Sequence, residues 1–183
     1  MMRLLLWTFT GLVLGGIIHI AVILTLPTFS PTVAWDQVTA LAGDSTAPVL
    51  LPPPLPGAAN PLRLDPELAY AACRLDLRQG PGSISGPLPQ AFWSVAVYSR
   101  TGTVIYSTTN RDGIGTALDL GVFNQAQTRL LAEQKLDIAQ GLLIVETPED
   151  DVIVVVKLAP PHPAMRARYE AALSQLRCGN IAA

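Results

Sequence analysis

Two rules of polarity govern the chain, one before residue 26 and another after it. From Leu4 to Leu26 the sequence LLLWTFTGLVLGGIIHIAVILTL runs 23 residues without an Asp, Glu, Lys or Arg. At 1.5 Å per residue this is roughly 34 Å of helix, enough to cross a hydrocarbon core of about 30 Å. The pattern predicts a transmembrane helix at 4–26 behind a three-residue N-terminus. A cleavable signal peptide is the alternative, but its apolar core usually spans about 7 to 15 residues and ends at a small-x-small site. The only such site here, Thr32-Val33-Ala34, is poor and lies beyond Pro27 and Pro31.

Beyond the run, Ser30-Pro31 reads as an N-cap followed by proline at the first helical position, with Gly43 as a stop, so a short helix is expected from Pro31 to about Ala42. Its Val33, Trp35 and Leu41 suit either the membrane surface or the domain. The stretch TAPVLLPPPLPGAANP (46–61) is too proline-rich for a helix or a central strand. It reads as an extended spacer, a tether or a segment lying along the domain, so that 27–61 links the anchor to a folded domain at 62–183.

In that domain β-branched and aromatic runs mark seven strands: Tyr70–Leu77, a short one around Ile84, Phe92–Ser99, Thr103–Thr108, Leu118–Phe123, Leu142–Glu146 and Val152–Leu158. Arg100-Thr101-Gly102 predicts a hairpin between the third and fourth, and the link from Thr147 to Asp151 predicts another between the last two. Asn124 and Gln127 form a capping box for a helix from Gln125 to about Gln134. Pro163 opens a last helix whose Met165, Tyr169, Ala172, Leu173 and Leu176 make an apolar stripe, with Cys178 at its end. The fold class is α+β: one transmembrane helix, then a domain dominated by an antiparallel sheet or sandwich with a C-terminal helix packed on it.

Charge sets the orientation. Arg3 is the only charge before the apolar run, the next basic residue is Arg63, and Asp36 and Asp44 follow on the far side. The positive-inside rule then keeps the N-terminus in the cytoplasm and exports the rest, which in a bacterium places the domain in the periplasm. The mean hydropathy of +0.38 reflects the anchor. The exported part carries 11 basic and 14 acidic residues, with no basic cluster, which argues against nucleic acid and anionic headgroups as partners. Cys73 and Cys178 both fall on the oxidising side, where a bridge is the favoured reading and two buried free thiols the alternative.

The order of anchor, Trp35 helix, proline-rich spacer, ACRLDL, GPGSIS, FWSVAVYSRTG, IYSTTNRDG, LDL and a terminal helix ending in cysteine resembles a family of small Gram-negative envelope proteins. They carry the domain of unknown function numbered twelve-fifty-four. The most specific matches are Ala72-Cys73-Arg74, Phe92-Trp93-Ser94-Val95 and Asn110-Arg111. The resemblance implies an inner-membrane protein with a β-rich exported domain, a module fused to or encoded beside a second one in other members. It implies no reaction.

Candidate chemistry is sparse. In the anchor, Thr8, Gly11, Gly15 and His19 share one helical face, a G-x-x-x-G arrangement that lets a second helix, from another copy or a partner, approach closely. His19 reads as a neutral hydrogen-bonding imidazole. Haem ligation would need a second ligand that the chain does not offer, so no cofactor is expected. His162 is wedged among prolines, and no serine stands in a nucleophile elbow. Glu146, Glu149, Asp150 and Asp151 read as a solvated turn rather than a calcium loop. Arg74, Trp93, Asn110, Arg111 and Asp119 are candidates for a pocket taking a small anionic or sugar-like ligand; the alternative is structural ion pairs around a core tryptophan. The leading function is therefore non-catalytic, in envelope assembly or a membrane complex. A periplasmic ligand-binding or hydrolytic module and an accessory subunit of a respiratory or photosynthetic complex are the alternatives.

Overall fold

The computed structural model of the chain describes residues 1–29, 33–42, 47–111, 117–134 and 142–181. It divides into two units, Met1–Pro31 and Thr32–Ala183. The first is a single helix, α1 (Met2–Phe29), whose residues up to Leu26 are all exposed. Its 25-residue apolar portion, Met2–Leu26, has a mean hydropathy of 2.2 and is long and apolar enough to cross a membrane. No part of that portion is buried.

The second unit is α+β. It opens with α2 (Val33–Ala42), where a short helix is expected, and β1 (Val49–Leu51), within the stretch read as a proline-rich spacer. The Ser30-Pro31 cap and the Gly43 stop expected for α2 lie outside the described residues. β1 pairs with the edge of β2 (Ala69–Asp76), and the three prolines that follow it are tolerated because an edge strand has one unpaired side. The chain continues through β3 (Gly82–Pro87), β4 (Trp93–Tyr98), β5 (Val104–Thr109), β6 (Ala117–Asn124), α3 (Gln125–Gln134), β7 (Leu143–Thr147), β8 (Asp151–Leu158), α4 (Arg166–Ser174) and β9 (Arg177–Asn180).

Two sheets result. The first, ordered β1-β2-β8-β4-β5, is antiparallel throughout; the second, ordered β7-β6-β3-β9, is antiparallel except for the β6–β7 pair. Their facing sides form the main core, in which Cys73, Leu75, Val95, Val97, Val154 and Val156 meet Ile84, Leu118, Leu120, Val122 and Val145, with Tyr169 and Leu173 of α4 completing it. A second, smaller core lies on the other face of the first sheet, where α2 lays Trp35 and Val38 against Tyr70, Ala72 and Ile153. β2 and β8 are apolar on both faces because both faces are covered.

All seven expected strands are present, and the β4–β5 hairpin forms through Arg100-Thr101-Gly102, with Gly102 at φ 81°. The second expected hairpin does not form. β7 runs parallel to β6, and β8 crosses to the other sheet between β2 and β4. Burial explains the separation. In β7 only Val145 and Thr147 are buried, which suits an edge strand with one covered face, whereas the run VIVVV in β8 needs cover on both sides. The parallel pairing requires a crossover, and α3 supplies it. Its capping box is in place: the Gln127 N–H donates to Asn124 Oδ1 and the Asn124 N–H to Gln127 Oε1, both at 2.9 Å.

The last helix is shorter than its apolar stripe suggests, and Cys178 lies in β9 rather than at a helix end. Leu176 packs directly onto Gly86, where a Cβ would come within 3.1 Å of the Leu176 Cα. That contact turns the chain beside β3, and Cys178 then pairs with Ile84.

Candidate functional site

Cys73 and Cys178 form a disulfide, their Cα atoms 6.3 Å apart and 105 residues apart in sequence. It joins β2 of the first sheet to β9 of the second, a staple across the sandwich.

The five pocket candidates do not converge on one cavity. Arg74 stands beside Ile153 on the outer face of the first sheet, whereas Trp93 pairs with Leu158 and points into the main core, 2% exposed. Arg74 Nη2 donates to Asp151 Oδ1 at 3.3 Å. Arg78 bridges the same Asp151 at 3.1 Å and Asp76 at 2.7 Å. Through those hydrogen bonds the Arg78 guanidinium holds the Asp76 carboxyl below the usual carboxylate range, against a smaller opposing effect of desolvation. Asn110 fastens the end of β5, donating from its backbone to Trp93 O and from Nδ2 to Ala91 O. Arg111 and Asp119 are exposed, Asp119 on β6 opposite Ser85. Arg74 Nε and Asn110 Oδ1 are buried without a protein partner.

The acidic turn is spent on structure. Asp150 Oδ1 accepts from Asn124 Nδ2, and Glu149 accepts from the Arg100 backbone N–H. His162 Nδ1 accepts from the Ala164 N–H and so caps the turn that leads into α4. Among the described residues no group of three or more His, Cys, Asp or Glu is placed to hold a metal ion. In α1, Thr8 donates to the carbonyls of Leu4 and Leu5 within its own helix, a Cβ added at Gly11 or Gly15 would meet nothing within 4 Å beyond the helix backbone, and His19 is exposed.

Sequence reasoning missed a cavity of about 210 Å³ on the outer face of the first sheet, bounded by α2, the loop before β2 and the sheet itself. Trp35 and Val38 form one wall; Tyr70, Ile153 and Val155 form the floor; Arg63 and Lys157 contribute positive charge. Arg63 holds φ at 49°, a rare conformation for a residue with a side chain. Asn60 imposes it: Asn60 Nδ2 donates to Leu64 O at 2.7 Å, Asn60 Oδ1 accepts from the Leu64 N–H at 2.9 Å, and the Asn60 carbonyl accepts from the Arg63 N–H at 3.0 Å. The available signal was that strands apolar on both faces require a second layer, which α2 provides.

The fold matches solved structures. The VPA0106 protein from Vibrio parahaemolyticus superposes with a TM-score of 0.55 at 9% identity, over 82% of this chain and 35% of that one. An uncharacterised protein from Burkholderia cenocepacia gives a TM-score of 0.48 at 13% identity, over 80% of this chain and 40% of its own. The likeness to the Vibrio protein is one of fold. The chain spans about a third of that protein's length and 40% of the Burkholderia protein's. No family model matches the sequence, and no curated protein does.

Proposed function

We propose that this is a single-pass inner-membrane protein, N-terminus in the cytoplasm, whose periplasmic domain acts without catalysis in envelope assembly or within a membrane complex. The observation that carries the reading is α1, an apolar helix of membrane-spanning length. The disulfide supports export, since such bonds persist in oxidising compartments. The motifs around Cys73, Trp93 and Asn110 support membership of the envelope family numbered twelve-fifty-four. The length of the Vibrio protein of like fold supports the idea that the domain is one module of a larger assembly.

The partner in the membrane is a second helix, from another copy or another protein, seated on the face of Gly11, Gly15 and His19. Replacing both glycines by isoleucine (Gly11→Ile with Gly15→Ile) is expected to reduce recovery of the partner in a mild-detergent pull-down by about tenfold, equivalent to about 1.4 kcal/mol of association. An unchanged assembly on a native gel contradicts the packing face.

A further inference from the structure

We infer that the cavity under α2 is a binding site for a small organic anion, a carboxylate on an apolar chain, of which the cavity encloses about seven heavy atoms in all. The size follows from the 210 Å³ volume at about 30 Å³ per water-sized group. That is too small for the two tails of a membrane lipid, so the ligand is a free acid. The site lies wholly within the second unit and does not depend on the membrane reading.

The sign of charge follows from the lining. Among the described residues Arg63 and Lys157 border the cavity and no Asp or Glu does, although acids outnumber bases 14 to 12 in the whole chain. Neither Arg63 nor Lys157 forms a salt bridge among the described residues. Two of the aromatic rings that line it carry a cation: the Lys157 ammonium lies 6.0 Å from the Tyr70 ring and the Arg100 guanidinium 5.9 Å from the Trp35 ring. Glu149 is held by the Arg100 backbone and does not line the cavity. Two cations with no carboxylate partner among the described residues, beside an apolar floor, are matched by a ligand with one anionic end and one apolar end.

The backbone points the same way. A non-glycine residue at positive φ costs energy and persists only where its surroundings enforce it, and such positions cluster at ligand clamps. Three hydrogen bonds between Asn60 and the Arg63-Leu64 backbone, one donated and two accepted by Asn60, hold Arg63 there, at the edge of the cavity.

The test uses the full-length protein labelled with 5-fluorotryptophan in phosphatidylcholine nanodiscs, titrated with octanoate and followed by fluorine NMR. The three tryptophans report separately: Trp7 on the anchor, Trp35 on the cavity and Trp93 on the core. A saturable shift of the Trp35 signal is expected, with Trp93 unmoved. Lys157→Gln and Arg63→Gly are each expected to weaken it about tenfold through loss of one charge-assisted contact; Arg63→Gly removes the cation while tolerating the positive φ. Octylammonium is expected not to saturate the Trp35 signal. The proposal is overturned if only Trp7 responds, which reports partition into the bilayer, if octylammonium binds as well as octanoate, or if both variants bind octanoate unchanged.

Discussion

Removing the disulfide by the double substitution Cys73→Ala with Cys178→Ala is expected to lower the melting temperature of the β-rich domain by about 10 °C. The bridge closes a loop across 105 residues, for which the chain-entropy model gives roughly 4 to 5 kcal/mol, and removal of native disulfides typically costs about 2 to 5. Each kcal/mol moves the midpoint of a domain of this size by about 2 to 4 °C. The geometry adds to the effect, because β9 has four residues and a single strand partner, β3. Its other ties to the first sheet and the adjoining turn are the disulfide and the hydrogen bonds from Asn180 to the carbonyls of Asp76 and Gly80. Thermal melts of the two proteins measure the difference, and a midpoint unchanged within a degree contradicts the structural role.

The second large effect is at Trp93, which is 2% exposed and is the largest of the fully buried side chains. Trp93→Ala is expected to cost about 3 to 5 kcal/mol, the transfer free energy of the indole plus that of the cavity left behind. The Trp93 carbonyl also receives the Asn110 N–H, so the β5 end loosens with the strand it is fastened to. In urea titration the midpoint should fall while the slope stays unchanged, since the unfolded state exposes nearly the same surface. Were Trp93 the wall of a ligand pocket instead of core, the midpoint would hardly move and only ligand affinity would fall.

What the sequence declared was local. The capping box at Asn124 and Gln127, the Arg100-Thr101-Gly102 turn and the apolar run of α1 each specify their element through neighbours in the chain, and each appears where those neighbours place it. Pairings between distant segments were not legible in the same way. Nothing near β7 or β8 distinguishes a hairpin from two strands in different sheets; only the number of faces each must bury decides it, and that depends on the complete sandwich.

The same holds at the candidate site. Two exported cysteines could be read as a pair from their compartment, but the carboxylate that occupies Arg74 lies 77 residues away. The cavity is assembled from α2, the loop around Arg63 and the outer face of the sheet. Its helix and loop come from either side of a proline-rich stretch that locally reads as a tether. No single motif carries it, so its residues had no common signature until the second layer was in place.

Topology in intact spheroplasts bears most directly on the anchored, exported reading, using a C-terminal epitope, external trypsin and a carbonate wash of the membranes. The second unit offers exposed sites at Arg63, Arg100 and Arg111. The full-length chain should remain in the washed membrane pellet, and trypsin should remove the epitope while a cytoplasmic marker stays intact. An epitope protected until the cells are lysed, or a shortened chain recovered in the soluble fraction, contradicts it.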